Sequence, residues 1–143
     1  MSELAAQPIP QGRYIPAVRH ADIIYTSGMT PREAGELKFV GQINANDDLQ
    51  THRAAVELAT NNALISAEHQ LQPGERLTLI LQLNVFINAE SGFTAHAALA
   101  NFASNLIAER LGESILGSRA AIGVATLPGN APVEITLVAA VAN

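Results

Sequence analysis

Two charged side chains stand inside the most apolar part of this chain. In "GSRAAIGVATLPGNAPVEITLVAAV" the ionisable residues are Arg119, at the first step of a β-type run, and Glu134, just past a Pro-Gly turn. Arginine keeps its charge at any physiological pH, and its planar fork fits a carboxylate through two parallel hydrogen bonds. Beside small residues such as Ala121 and Gly123, Arg119 could seat the carboxylate of a small ligand in a shallow pocket. Glu134 could position a water or relay a proton if burial raises its pKa. The competing reading is an Arg–carboxylate ion pair that fixes an interface. Residue types alone favour that structural role, because ion-pair networks perturb strand ends more often than catalysis does.

Other chemistry-bearing residues give less. Ser27–Gly28 ends a strand-like run and could offer a hydroxyl and a backbone N–H to an anion, although Ser-Gly is also an ordinary turn. Tyr14 would wall a pocket or simply pack. His20, His52, His69 and His96 lack metal-ligand spacing and read as surface or turn residues. The chain has no cysteine, which removes disulfides, thiolate catalysis and zinc–thiolate sites. No Ser/His/Asp arrangement, phosphate loop or paired-carboxylate motif rises above chance.

The elements that must carry these residues follow from periodicity. "RYIPAVRHADIIYTSGM" gives two short β runs around a turn at His20–Asp22, and a minor strand falls near Leu37–Val40. Asp47 or Asp48 caps a helix running to about Gln70, with Leu49, Val56, Ala59, Ala63 and Ala67 on its apolar face. "RLTLILQLNVFIN" is a long strand with Leu77, Leu79, Leu81, Leu83 and Val85 at period two. Ser91 caps a second helix that Gly112 closes. "SRAAIGVATL" and "PVEITLVAAV" then read as a hairpin turning on "PGNAP". The order β-β-(β)-α-β-α-β-β predicts an α+β fold: one mixed sheet with both helices on one face. Neither face of the last hairpin alternates to polar, so a second copy of the chain is expected to cover the face the helices leave open. In that hairpin Arg119 and Glu134 lie about six rows apart, or about 20 Å at ~3.3 Å per residue. They meet in one pocket only where two subunits meet.

Bulk properties set the outer limits. The 143 residues suit a single domain over 1–143, with residues 1–12 as an extended arm. Charged residues make up 15% of the chain, so a monomer would leave apolar surface uncovered. The formal net charge is −5 and the basic residues are scattered, which argues against nucleic-acid binding. The N-terminus lacks the features of a signal peptide and no apolar run reaches membrane length, so the expected compartment is the cytoplasm.

"GRYIPAV", "IIYTSGMTP", "GELKFVGQI", "NNAL", "LNVFINAESGF" and "SRAAIGVATLPGNAPVEI" occur in this order from about Gly12 to Val141. In these motifs the chain resembles the Rid/YjgF family of reactive-intermediate deaminases, formerly grouped as endoribonuclease L-PSP-like. The resemblance implies a fold like Bacillus-type chorismate mutase, assembled as a homotrimer with clefts between subunits. It implies that Arg119 holds the carboxylate of a 2-imino or 2-enamino acid. Glu134 would lie beside the water that hydrolyses the C=N bond to a 2-keto acid and ammonia. Tyr14, Ser27, Gly28, Met29, Ala121 and Asn101 fall at positions assigned to ligand binding in that cleft. Ala121 stands where the family often has cysteine, and Met29 where it commonly has glutamine. No cofactor or metal is implied, since an imine is already electrophilic and needs only positioning and a placed water. "GVATLPGNAPVE" is most similar to a subgroup without established activity. The leading expectation is an imine/enamine deaminase acting on a small carboxylate-bearing ligand. The alternative is a non-catalytic binder or sensor of small carboxylates in the same cleft. Ribonuclease activity is disfavoured by the acidic charge, and chorismate mutase activity would be a fold-level analogy only.

Overall fold

The computed structural model describes residues 4–143; of the arm expected over 1–12, residues 1–3 lie outside the described residues. Strands β1 (Ala17–His20) and β2 (Ile23–Thr26) form a hairpin closed by Ala21 and Asp22, at the expected turn. A second hairpin, β3 (Arg32–Glu33) with β4 (Glu36–Leu37), replaces the single strand expected at Leu37–Val40. Ala34 and Gly35 both take positive φ there (52° and 83°), the backbone that a two-residue hairpin turn requires.

Asp48 accepts a hydrogen bond from the Gln50 N–H and caps a 3-10 turn, Leu49–His52, which leads into α1 (Arg53–Glu68). Val56, Ala59, Ala63 and Ala67 are fully buried on the expected face. Strand β5 (Arg76–Asn88) follows, then α2 (His96–Leu111), β6 (Ser118–Val124) and β7 (Val133–Ala142). Helix α2 starts at His96 rather than just after Ser91. Phe93 first docks into the core and its N–H closes a turn on the Glu90 carbonyl, so the helical bonds begin with Leu99 donating to Ala95.

The main sheet has the order β1-β2-β7-β5-β6, with β5–β6 parallel and the other pairs antiparallel. Helix α1 packs on β7 and β2, and α2 on β6 and β5. Leu64, Ile107, Val85, Ile135 and Leu137 fill the layer between helices and sheet. The α+β architecture with two helices on one face of a mixed sheet is thus borne out.

The terminal hairpin is not. Strands β6 and β7 do not pair with each other; they flank β5 on opposite sides. The reason lies in Asn88, the buried last residue of β5. Its N–H donates to the Pro132 carbonyl, and its side-chain amide donates to Asn130 Oδ1 and the Ala131 carbonyl, each at 2.9–3.0 Å. These bonds carry the 125–132 link across the end of β5, so β7 enters on the far side. The alternation expected of β5 is also interrupted. Register shifts at Leu77/Leu79 and Ile80/Gln82 turn Leu77, Ile80 and Leu83 inward and leave Leu81 36% exposed.

The face away from the helices is open to solvent. Val18, Tyr25, Leu81 and Ile122 are exposed on it. A polar row crosses it, in which Ser118 Oγ donates to Gln82 Oε1, Gln82 Nε2 to Asn84 Oδ1, and Asn84 Nδ2 to Thr136 Oγ1. Among the described residues, no helix is long and apolar enough to cross a membrane.

Candidate functional site

Glu134 sits on the open face of β7, one residue past its start. The Met29 N–H donates to the Ile135 carbonyl and the Ile135 N–H to the Met29 carbonyl, both at 2.8 Å. This exchange draws residues 27–29 alongside β7 and sets Gly28 against the Glu134 carboxylate. A Cβ on Gly28 would stand 2.7 Å from Glu134 Cδ. The carboxylate is half-buried, and burial pushes its pKa above the ordinary 4.5. Among the described residues it has no hydrogen-bond donor and no cation in range. It lines a cleft of about 440 Å³ with Tyr14, Ser27, Gly28, Thr30, Arg32 and Pro128.

Within this cleft the expected residues divide. Tyr14 is 45% exposed, and its hydroxyl accepts from the Gln11 N–H. The Ser27 hydroxyl donates to the Ile15 carbonyl (2.6 Å) and its N–H to the Pro16 carbonyl (2.8 Å). Both Ser27 donors are therefore spent on the chain, which corrects the expectation that they serve an anion; the Gly28 N–H has no acceptor among the described residues. Met29 is turned away altogether. It is 6% exposed, with its sulfur 3.8 Å from Ser66 Oγ of α1, because it shares the helix-side face with its partner Ile135. Met29 fixes the backbone of the cleft and its side chain belongs to the core.

Arg119 lies on β6, an edge strand, facing α2. Its Nη1 donates to Asn101 Oδ1 (2.8 Å) and Ser104 Oγ (3.1 Å), and Nη2 donates to the Ala97 carbonyl (3.3 Å). Residues 97, 101 and 104 fall at i, i+4, i+7 on one helix face, so α2 presents three acceptors in a column. Among the described residues three of the five guanidinium donors are used and two are left. Arg119 and Ala121 line an open pocket with Thr94, His96, Ile122 and Gly123. Asn101 orients the arginine and lines a second pocket with it, beside Ser104 and Ser118, rather than the one that holds Ala121. Gly123 makes room for His96, whose Nε2 would lie 2.8 Å from a Cβ at that position. His96 in turn meets the Phe93 ring edge-on at 5.0 Å.

The two halves are separate within one chain. Arg119 pairs with Leu83 and Glu134 with Phe86, three rows apart on β5 and one strand to either side. That separation is about 14 Å, shorter than the 20 Å of the hairpin reading. It is decisive all the same, because the two side chains point to opposite faces of the sheet. Sequence reasoning missed Arg32 and His96 as pocket-lining residues. The signal for His96 was its place at the start of α2, one turn before Asn101; nothing in the spacing marked Arg32. Among the described residues, no group of three His, Asp or Glu side chains could hold a metal ion.

Comparison with known proteins completes this picture. The model of the family described as endoribonuclease L-PSP matches residues 4–141. Protein TCP17 of Trypanosoma cruzi is 30% identical over 134 residues, covering 93% of this chain and 84% of that protein. The crystal structure of Atu1372, a protein of unknown function from Agrobacterium tumefaciens, is similar at a TM-score of 0.84 and 31% identity, over 94% of this chain and 87% of that one. TdcF of E. coli, solved with bound serine, has the same fold at a TM-score of 0.64 and 21% identity, over 94% and 92% of the two chains. From Leu4 to Val141, then, this chain belongs to the endoribonuclease L-PSP family, which is the Rid/YjgF family.

Proposed function

We propose that this protein hydrolyses reactive 2-imino and 2-enamino acids to 2-keto acids and ammonia, in clefts formed where one copy's Arg119 pocket meets another copy's Glu134 cleft. The observation that carries the reading is Glu134: a half-buried, unpaired carboxylate facing open space, with its pKa raised by burial alone. Such a group takes a proton from water more readily than an ordinary glutamate does. Arg119, held by α2, keeps two donors for the ligand carboxylate. Water adds to C2 as Glu134 takes one of its protons and passes it to the imine nitrogen, which gives the carbinolamine. Glu134 then takes the proton of the carbinolamine hydroxyl and hands it to the amine, so that the C–N bond breaks to leave C=O and ammonia. The balance is R–C(=NH)–COO⁻ + H₂O → R–CO–COO⁻ + NH₃.

This reading takes residues 1–143 as one Rid/YjgF-like domain acting as a cytoplasmic homotrimer. The exposed Val18, Tyr25 and Ile122 support assembly through the open sheet face. The second reading is a binder of small carboxylates at the same cleft, favoured by the serine held in TdcF. The endoribonuclease of the family description finds little support in a chain of net charge −5.

The test is keto-acid release from 2-aminoacrylate generated in situ. Arg119→Ala is expected to lower the rate about 100-fold. Equal rates, or no rate above the spontaneous one, remove the hydrolase reading; retained binding of a keto acid at Arg119 would then leave the binder. A stable monomer in sedimentation removes the shared cleft.

A further inference from the structure

The chain has eight Lys and Arg residues. Arg19, Lys38, Arg53 and Arg110 form ion pairs with carboxylates. Arg13 and Arg76 are exposed. That leaves two partly buried cations that face a cleft and have no carboxylate in range among the described residues: Arg119 and Arg32.

Arg32 is built in firmly. It opens β3, paired with Leu37. The buried Asn62 of α1 donates its side-chain amide to the carbonyls of Thr30 (3.2 Å) and Arg32 (2.8 Å), which clamps the backbone to the helix. Among the described residues the guanidinium makes one hydrogen bond, from Nη1 to the Gly35 carbonyl at 2.9 Å, and its Nε is shut off from solvent with no acceptor. Nη2 lies 3.6 Å from where a Cβ on Gly129 would be, so that glycine leaves it room. Glu33 and Glu36 stand in the same hairpin, yet Glu36 pairs with Lys38 at 3.0 Å and Glu33 lies opposite Glu36. A charge taken this far out of water without a partner is costly, and an anionic ligand would supply the partner.

We propose that Arg32 is a second anion-binding residue of the Glu134 cleft and makes it selective for ligands with a second carboxylate at the end of a short side chain. Arg32 lines the same cleft as Glu134 and Tyr14, and a volume of about 440 Å³ holds more than a three-carbon acid. The assignment rests on this cleft being the ligand site, with the first carboxylate on Arg119 of a neighbouring copy. Its substrate class is the imines of acidic amino acids.

Calorimetry on the full chain compares two five-carbon keto acids, 2-oxoglutarate and 2-oxopentanoate. The wild type is expected to bind the dicarboxylate at least about ten-fold more tightly. Arg32→Met should bring the ratio of the two dissociation constants close to one, and Arg32→Lys should keep part of the preference. Equal affinities in the wild type, no binding of either acid, or a preference that survives Arg32→Met overturns the assignment. Turnover of 2-aminoacrylate by the wild type tests the hydrolase reading separately, since that substrate has no side-chain group to reach Arg32. Turnover without dicarboxylate preference removes only the role of Arg32; preference without turnover removes only the hydrolase.

Discussion

Gly28 and Glu134 approach so closely that a methyl group on Gly28 would lie 2.7 Å from Glu134 Cδ and 2.9 Å from Oε2. The glycine therefore sets the position of the carboxylate. Gly28→Ala must push Glu134 aside, and a displacement of about 1 Å at a reacting group costs about 100-fold in rate. The overpacking should cost only about 1–3 kcal/mol of stability. Turnover lost far beyond the change in thermal midpoint is the expected result; an unaltered rate would mean that the placement of Glu134 does not matter.

Burial lifts the Glu134 carboxyl above 4.5, which gives a testable pH dependence. Under the proposed hydrolysis the basic form activates water, so the rate should fall on the acid side with a midpoint above 4.5. Stability carries the matching sign. A raised native pKa means that the folded chain holds the proton more tightly, so this contribution is complete below 4.5 and is lost as pH rises through the raised value. Glu134→Gln cannot ionise, and its thermal midpoint should gain on the wild type as pH climbs past 4.5. Melting curves showing a constant difference from about pH 4 to about pH 8 would contradict this.

Asn101 holds Arg119 through its side-chain oxygen at 2.8 Å. Asn101→Ala removes one acceptor from a partly buried charged donor, a loss of about 1 kcal/mol of positioning. The KM for a carboxylate substrate should rise about ten-fold while kcat moves little. Steady-state kinetics showing the reverse pattern would place Asn101 in the chemical step.

Arg19 reaches from β1 to Glu75 with two hydrogen bonds, 2.6 and 2.8 Å, and to the Gln70 carbonyl. The guanidinium and the Gln72 N–H hold the Glu75 carboxyl down at about 2. A depressed native pKa contributes stability above the ordinary 4.5 and loses it as pH falls toward about 2. Glu75→Gln should therefore melt below the wild type at neutral pH, with the gap closing through that acid window.

Much of the fold was legible because local rules decided it. The Ala21–Asp22 turn, the buried alanine face of α1 and Gly112 after α2 each followed from a few adjacent residues. What failed was decided at a distance. The β6–β7 link looked like a hairpin turn, but Asn88, 42 residues before Asn130, captures it and sends β7 past the end of β5. The bulges in β5 were hidden because Leu79 and Leu81 are as apolar as the residues that do face the core. In the site, Arg119 and Glu134 stood out as lone charges among small apolar residues. Arg32 did not, because it sits in a charged stretch, "PREAGELK", where its lack of an ion pair shows only in three dimensions.

The placement of Arg119 and Glu134 on opposite faces of one sheet has a genetic corollary under the shared-cleft reading. Each copy lends half of its chemistry to one neighbour and borrows the other half from the next. An Arg119→Ala chain and a Glu134→Gln chain, each strongly impaired alone, should regain activity when unfolded and reassembled together. In every mixed ring, one cleft pairs an intact arginine with an intact glutamate. Loss of either residue would then be recessive at the level of the assembly, and complementation between two impaired proteins would be the sign that the active unit is the contact rather than the chain.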